Sequence, residues 1–128
     1  MPFTKETAIR TYYESVGEGE ALVLVHGLGS SAQDWEYQLP AFKEHFQVIT
    51  YDVRGHGQTE KAKPPYNVPL FAQDLAELLN ELGIKKAHIV GVSMGGWIVF
   101  QFGVDYPEMT RSLTIIRSWA DMRLNTLT

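Results

Sequence analysis

Val90-Gly91-Val92-Ser93-Met94-Gly95-Gly96 is the stretch on which the reading of this 128-residue chain turns. It carries the pattern G-x-S-x-G. An apolar run of strand length, Ala87 to Val92, precedes the serine, and a segment that is apolar nearly all round, Met94 to Val104, follows it. That context gives the pattern its meaning. A serine on a sharp strand-to-helix turn is held in a strained backbone conformation with its hydroxyl above the sheet. Gly91 and Gly95 keep side chains out of the crowded turn. The N-terminus of the following helix directs amides and its positive dipole end at the same place. The plainer alternative, Ser93 as a helix cap beside packing glycines, leaves the preceding strand unexplained.

Outward from this turn the chain alternates between strand-like and helix-like segments. Ala21-Leu22-Val23-Leu24-Val25 is a continuous apolar run, as expected of a strand buried on both faces of a parallel sheet. Arg10 to Ser15 alternates and is rich in tyrosine, Phe46 to Val53 contains Val48, Ile49 and Tyr51, and Arg111 to Arg117 centres on Leu113, Ile115 and Ile116; each reads as a strand. Ser31 to His45 reads as a helix capped by Ser31 and interrupted at Pro40, with Trp35, Leu39, Phe42 and Phe46 at helical spacing. The clearest helix has Asn67 as cap, Pro69 in its first turn, and the stripe Phe71, Leu75, Leu78, Leu79 and Leu82, closed by Gly83. Strands joined by crossover helices imply βαβ units: an α/β fold with a mainly parallel sheet and helices on both faces.

Composition agrees with this. Hydrophobic residues make up 45% and charged residues 20% of the chain, enough apolar surface for one core. The length suits one domain, residues 1–128. There is no cysteine, which excludes disulfides and thiolate metal sites, and the four histidines match no metal-ligand spacing. A net charge of -4 argues against nucleic acid as a partner. No apolar run approaches the roughly 18 residues that span a bilayer, and Met1 to Arg10 contains no apolar signal region, so a cytoplasmic protein without a membrane partner is the expectation. Gly17-x-Gly19 precedes a strand and lacks a third glycine, and Gly91 to Gly96 lacks a phosphate-binding lysine, so neither is a nucleotide fingerprint. No cofactor or metal is called for.

A second element, His26-Gly27-Leu28-Gly29, ends another buried strand. Acyl transfer needs donors for a developing oxyanion, and a glycine-rich turn there can aim the Leu28 amide at the same point as the Met94 amide. A third element is Asp52-Val53-Arg54-Gly55-His56-Gly57-Gln58-Thr59. Taken together and in this order, the three stretches resemble the α/β-hydrolase superfamily, from about Tyr12 to Ile116. The texture is similar to small bacterial esterases, enol-lactonases of the 3-oxoadipate type, cofactor-free haloperoxidases and carbon–carbon bond hydrolases, among which the motifs do not choose.

The resemblance implies roles. Ser93 would be the nucleophile, Leu28 and Met94 the oxyanion donors, and His26, Gly27, Gly29, Asp52, Arg54, Gly91 and Gly95 the residues that shape the motifs. Asp52 follows the wrong strand for the catalytic acid, and its loop would be structural. In the family the triad order is serine, acid, histidine. Here His26, His45, His56 and His88 all precede Ser93 and read as structural or solvent-facing. Asp105 lies away from the expected site, while Asp121 is the one acid near a plausible position. The chain therefore resembles the first half of the fold, with later strands, any cap and the base-bearing histidine unmatched. A fragment, a short reading frame, a half that pairs with another chain and a chain described only in part all fit.

The function so implied is hydrolysis of a small-molecule ester or lactone through an acyl-enzyme, with this chain alone nearly inactive. Two rivals stand beside it: a non-catalytic oligomerisation or binding scaffold, and a perhydrolase or haloperoxidase. The strand at Leu113 to Ile116 would lie at a sheet edge, and self-association through it is expected.

Overall fold

The computed structural model describes residues 3–117. Ten elements run in the order β1 Tyr13–Val16, β2 Glu20–Val25, a short 3₁₀ helix Ala32–Trp35, α1 Leu39–Phe42, β3 Phe46–Tyr51, α2 Val68–Glu81, β4 Ala87–Val92, α3 Met94–Asp105, a 3₁₀ turn Pro107–Met109 and β5 Thr110–Ile116. The strands form one sheet in the order β1-β3-β2-β4-β5. Only β1 runs antiparallel to its neighbour; β3, β2, β4 and β5 are parallel.

The apolar run of β2 is explained by its place in the middle. Val23 and Val25 face α2 and α3 and join a core with Ile49, Ile89, Phe71, Leu75, Leu78, Ile98 and Phe102. Leu22 and Leu24 face the other way, into a smaller cluster with Val48 and Trp35, flanked by Leu39, Phe42, Phe46, Val90 and Val92. A strand covered on both sides has no solvent face and shows no alternation.

Four sequence-based boundaries are corrected. The helix expected over Ser31 to His45 is two short pieces, Ala32–Trp35 and Leu39–Phe42, with Pro40 in the first turn of the second. In one continuous helix Pro40 would lack the amide that bonds four residues back and its ring would crowd that carbonyl, so the chain breaks and restarts with Pro40 in a first turn, where no donor is needed. The aromatic spacing was still informative, because all four residues pack in the smaller cluster. The first strand begins at Tyr13 instead of Arg10. The Arg10 and Tyr12 amides donate to Glu60 Oε1 at 3.0 Å and Thr59 Oγ1 at 2.9 Å, so no strand partner can take them. The strand at Phe46 stops at Tyr51 because the Asp52 amide donates to the Tyr12 carbonyl and the Val53 amide to His26. The last strand spans Thr110–Ile116, one residue earlier than expected.

From β2 the chain crosses to β3 on one side, then returns over β2 to β4 on the other. The carboxyl ends of β2 and β4 thus border a topological switch point, the crevice where open α/β sheets place ligands. The loops beginning at His26 and Ser93 both open there.

Candidate active site

Ser93 has φ 56° and ψ -119°, a left-handed conformation that side-chain-bearing residues rarely adopt. Such strain costs about 1–3 kcal/mol and persists only where the surroundings enforce it. Here the enforcement is visible. The Ser93 amide donates to the Ile116 carbonyl at 3.0 Å, tying the turn to the end of β5, and the Ser93 carbonyl accepts from the Gly96 amide at 2.9 Å as α3 begins. A Cβ on Gly91 would collide with the Gly95 carbonyl and lie 2.7 Å from Val99 Cγ2; one on Gly95 would collide with the Val25 carbonyl. Both glycines are required by close approach of backbone to backbone.

The second loop lies against this turn. A Cβ on Gly27 would sit 3.4 Å from Ser93 Cβ and 3.9 Å from Ser93 Oγ. Ser93 is exposed. Leu28 projects into solvent at 77% exposure, while Met94 is buried. Among the described residues neither the Leu28 nor the Met94 amide donates a hydrogen bond; Met94 follows Ser93 directly, and Leu28 follows Gly27, which abuts it. Ser93 Oγ likewise has no hydrogen-bond partner among the described residues.

His26 is fully buried and both ring nitrogens are used. Nε2 accepts the Val53 amide at 2.9 Å, and Nδ1 donates to the Gly27 carbonyl at 2.7 Å. This fixes one neutral tautomer. Burial pushes the imidazole below its ordinary titration range, only partly opposed by the Gly27 hydrogen bond. His26 therefore ties the loop after β2 to the loop after β3. His56 stacks beside it, ring centroids 5.1 Å apart, with Nδ1 3.1 Å from the Arg54 carbonyl oxygen. His45 is exposed in the turn before β3, beyond the helix whose end it was expected to mark. His88 is the second residue of β4.

Asp52 organises the rim. Its Oδ1 accepts the Ala32 amide at 2.7 Å, its Oδ2 the Gln58 amide at 2.8 Å, and its carbonyl the Thr59 hydroxyl at 2.6 Å. Arg54 donates to both oxygens of Asp74, Nε to Oδ2 at 2.8 Å and Nη2 to Oδ1 at 2.9 Å, in a pair almost closed to solvent. The Asp74 carboxylate raises the titration of Arg54; burial pushes the Asp74 carboxyl up, opposed by the guanidinium. These bonds tie the loop after β3 to the loop after β2 and to α2.

Sequence reasoning missed Asp74. Its signal was present: a carboxylate three residues after Phe71 and four before Leu78, on the apolar stripe of α2, needs a buried partner. It also missed Glu77 and Glu81, which accept the amides of Ala8, Lys5 and Glu6 and bind the N-terminal segment to α2. Asp121, the candidate acid, lies outside the described residues. Asp105 is the last residue of α3, at the end opposite Ser93. Among the described residues no group of three His, Asp or Glu side chains could hold a metal ion, and no helix is long and apolar enough to cross a membrane.

A strained serine between a central parallel strand and a helix, at the switch point of an α/β sheet, defines a class of fold, and the comparisons agree with it. The family model of the alpha/beta hydrolase fold matches residues 20–127, and the chain belongs to that family. Its relatives include a protein of Azorhizobium caulinodans named as the carbamate hydrolase RutD, 35% identical over 120 residues that cover 94% of this chain and 45% of the relative. Among solved structures, Est816, described as an N-acyl homoserine lactone degrading enzyme, superposes with a TM-score of 0.87 at 32% identity, covering 91% of this chain and 45% of that one. The epoxide hydrolase CorEH gives a TM-score of 0.87 at 33% identity over 91% of this chain and 41% of its own. The chain thus spans less than half the length of these relatives. The part it spans is the N-terminal portion of the fold.

Proposed function

We propose that this chain is the nucleophile-bearing part of a serine hydrolase that cleaves an ester or lactone through an acyl-enzyme. Ser93 Oγ would attack the carbonyl carbon, and the Leu28 and Met94 amides would hold the oxygen as it becomes negative. The observation that carries the reading is the left-handed Ser93, strained and exposed beside two unused amides. A structure that holds a serine so against its backbone preference needs a reason beyond helix capping. The relatives whose names refer to lactone degradation and carbamate hydrolysis support a carbonyl substrate.

No described histidine reaches Ser93 Oγ, so the base comes from outside the described residues. Without it, catalysis falls to what the oxyanion site and binding supply, a residue of roughly 10³–10⁴ over water in a triad enzyme stripped of its members. The test is acylation, read by mass. Treated with p-nitrophenyl acetate and a fluorophosphonate, the folded chain is expected to carry a slow adduct mapped to Ser93, absent in Ser93→Ala, with little turnover. A folded chain whose Ser93 stays unmodified would instead support the scaffold reading, which the lack of a base near Ser93 among the described residues favours.

The partners we assign are a small-molecule ester or lactone and, through β5, a second copy of the chain. Among the described residues the β5 backbone has no strand on its outer side, and Leu113, Ile115 and Ile116 are between 37% and 40% exposed.

A further inference from the structure

About five residues before Ser93 along β4, roughly 16 Å at the rise of a strand, a second serine sits in a relay. Ser112 of β5 lies directly opposite His88 of β4, with Oγ 2.7 Å from His88 Nδ1. His88 Nε2 lies 2.8 Å from Glu20 Oε1 of β2. In the neutral imidazole that satisfies both contacts, Nε2–H donates to the carboxylate and the Nδ1 lone pair accepts the Ser112 hydroxyl. That is a hydroxyl beside a base, with the base oriented by a carboxylate. The ring nitrogens exchange the places they hold in the serine-protease arrangement.

An irregularity in the sheet creates the relay. Ala87 faces Thr110, yet the next residue, His88, faces Ser112, so Arg111 is an extra residue in β5. An unbroken ladder would place Arg111 opposite His88. Because side chains alternate faces, the one-residue shift puts Ser112 there instead. The displaced Arg111 lies near Glu20, Nη1 to Oε2 3.7 Å. The Phe46 ring packs edge-on to the imidazole, centroids 5.8 Å apart. Among the described residues the His88 side chain is 28% exposed, that of Glu20 55%, and Ser112 is exposed.

We propose that Ser112 is a second nucleophilic serine, independent of Ser93, which takes an acyl or phosphonyl group from small activated donors. In the acyl case Oγ bonds to the carbonyl carbon and the bond to the leaving oxygen breaks. The hydroxyl proton passes to His88 Nδ1 and from there to the departing oxygen. With a fluorophosphonate Oγ bonds to phosphorus, the P–F bond breaks, and the hydroxyl proton passes to His88 Nδ1 as fluoride leaves. The relay is exposed among the described residues, so its reactivity rests on the donor's own leaving group, and the outcome is a single modification.

The test uses Ser93→Ala, so it stands apart from the role of Ser93. This variant is treated with p-nitrophenyl acetate or a small alkyl fluorophosphonate and mapped by peptide mass, with folding checked by circular dichroism. The expected adduct is on Ser112 and forms faster than on any other exposed serine. Adding His88→Gln slows it about 100-fold, the lower end of what a positioned general base contributes. Should that variant not fold, Glu20→Gln, on an exposed side chain, carries the same comparison. A folded Ser93→Ala protein with Ser112 unlabelled, or labelling equally fast without His88 or the Glu20 carboxylate, overturns the proposal.

Discussion

At the scale of single residues, His26 shows how a histidine in a candidate active site can be structural. Both nitrogens are held and the ring is sealed from solvent, so protonation must break the bond from the Val53 amide. The folded form thus binds its proton more weakly than the unfolded chain, whose histidine titrates near its ordinary value of about 6.5. Below that pH the unfolded state takes up a proton that the native state refuses, and stability falls. The expected slope reaches about 1.4 kcal/mol per pH unit for this one group. Urea unfolding of the wild type at pH 7, 6 and 5 should show the decline. His26→Gln should be less stable at pH 7 and lose less between pH 7 and 5; an equally steep decline in the variant would remove His26 as its source.

At the scale of elements, the Arg54–Asp74 pair joins the loop after β3 to α2. Both side chains are less than 10% exposed, so removing one leaves the other charged and unpaired. Asp74→Ala is therefore expected to cost about 3–5 kcal/mol in denaturant unfolding, whereas Gln73→Ala, on the exposed face of the same helix, should change little. A small loss in Asp74→Ala would show that water reaches the guanidinium. The helices also show how far local pattern carries. The cap, stripe and terminating glycine of α2 were legible, because an amphipathic helix writes its contacts at fixed spacing: Asn67 Oδ1 does accept the Leu70 amide, at 2.8 Å. The segment 31–45 was not legible as two pieces, since its aromatic spacing suits one helix and only packing on Leu22, Leu24 and Val48 shows that the pieces share a cluster. Asp74 could be suspected as a buried charge, but its partner lies 20 residues away and spacing names no partner at that distance.

At the scale of the molecule, β5 closes one side of the sheet with nothing beyond it among the described residues. An unpaired strand of seven residues with apolar side chains invites another strand. Sedimentation over a range of concentrations is expected to show dimers or larger species, reduced by Ile115→Lys. A monomer at every concentration would contradict this. The sequence alone determined the class of fold, the place of the strained serine turn and the order of its three motifs, because buried parallel strands, helix caps and backbone-crowding glycines are local demands on residue type. Only the tertiary structure decided what those motifs touch: that Gly27 abuts Ser93, that His26 is spent on Val53 and Gly27, that Arg54 meets Asp74, and that a one-residue shift in β5 sets Ser112 against His88. Each of these joins residues from different elements. Strand order and register bring them together, and no local pattern records either.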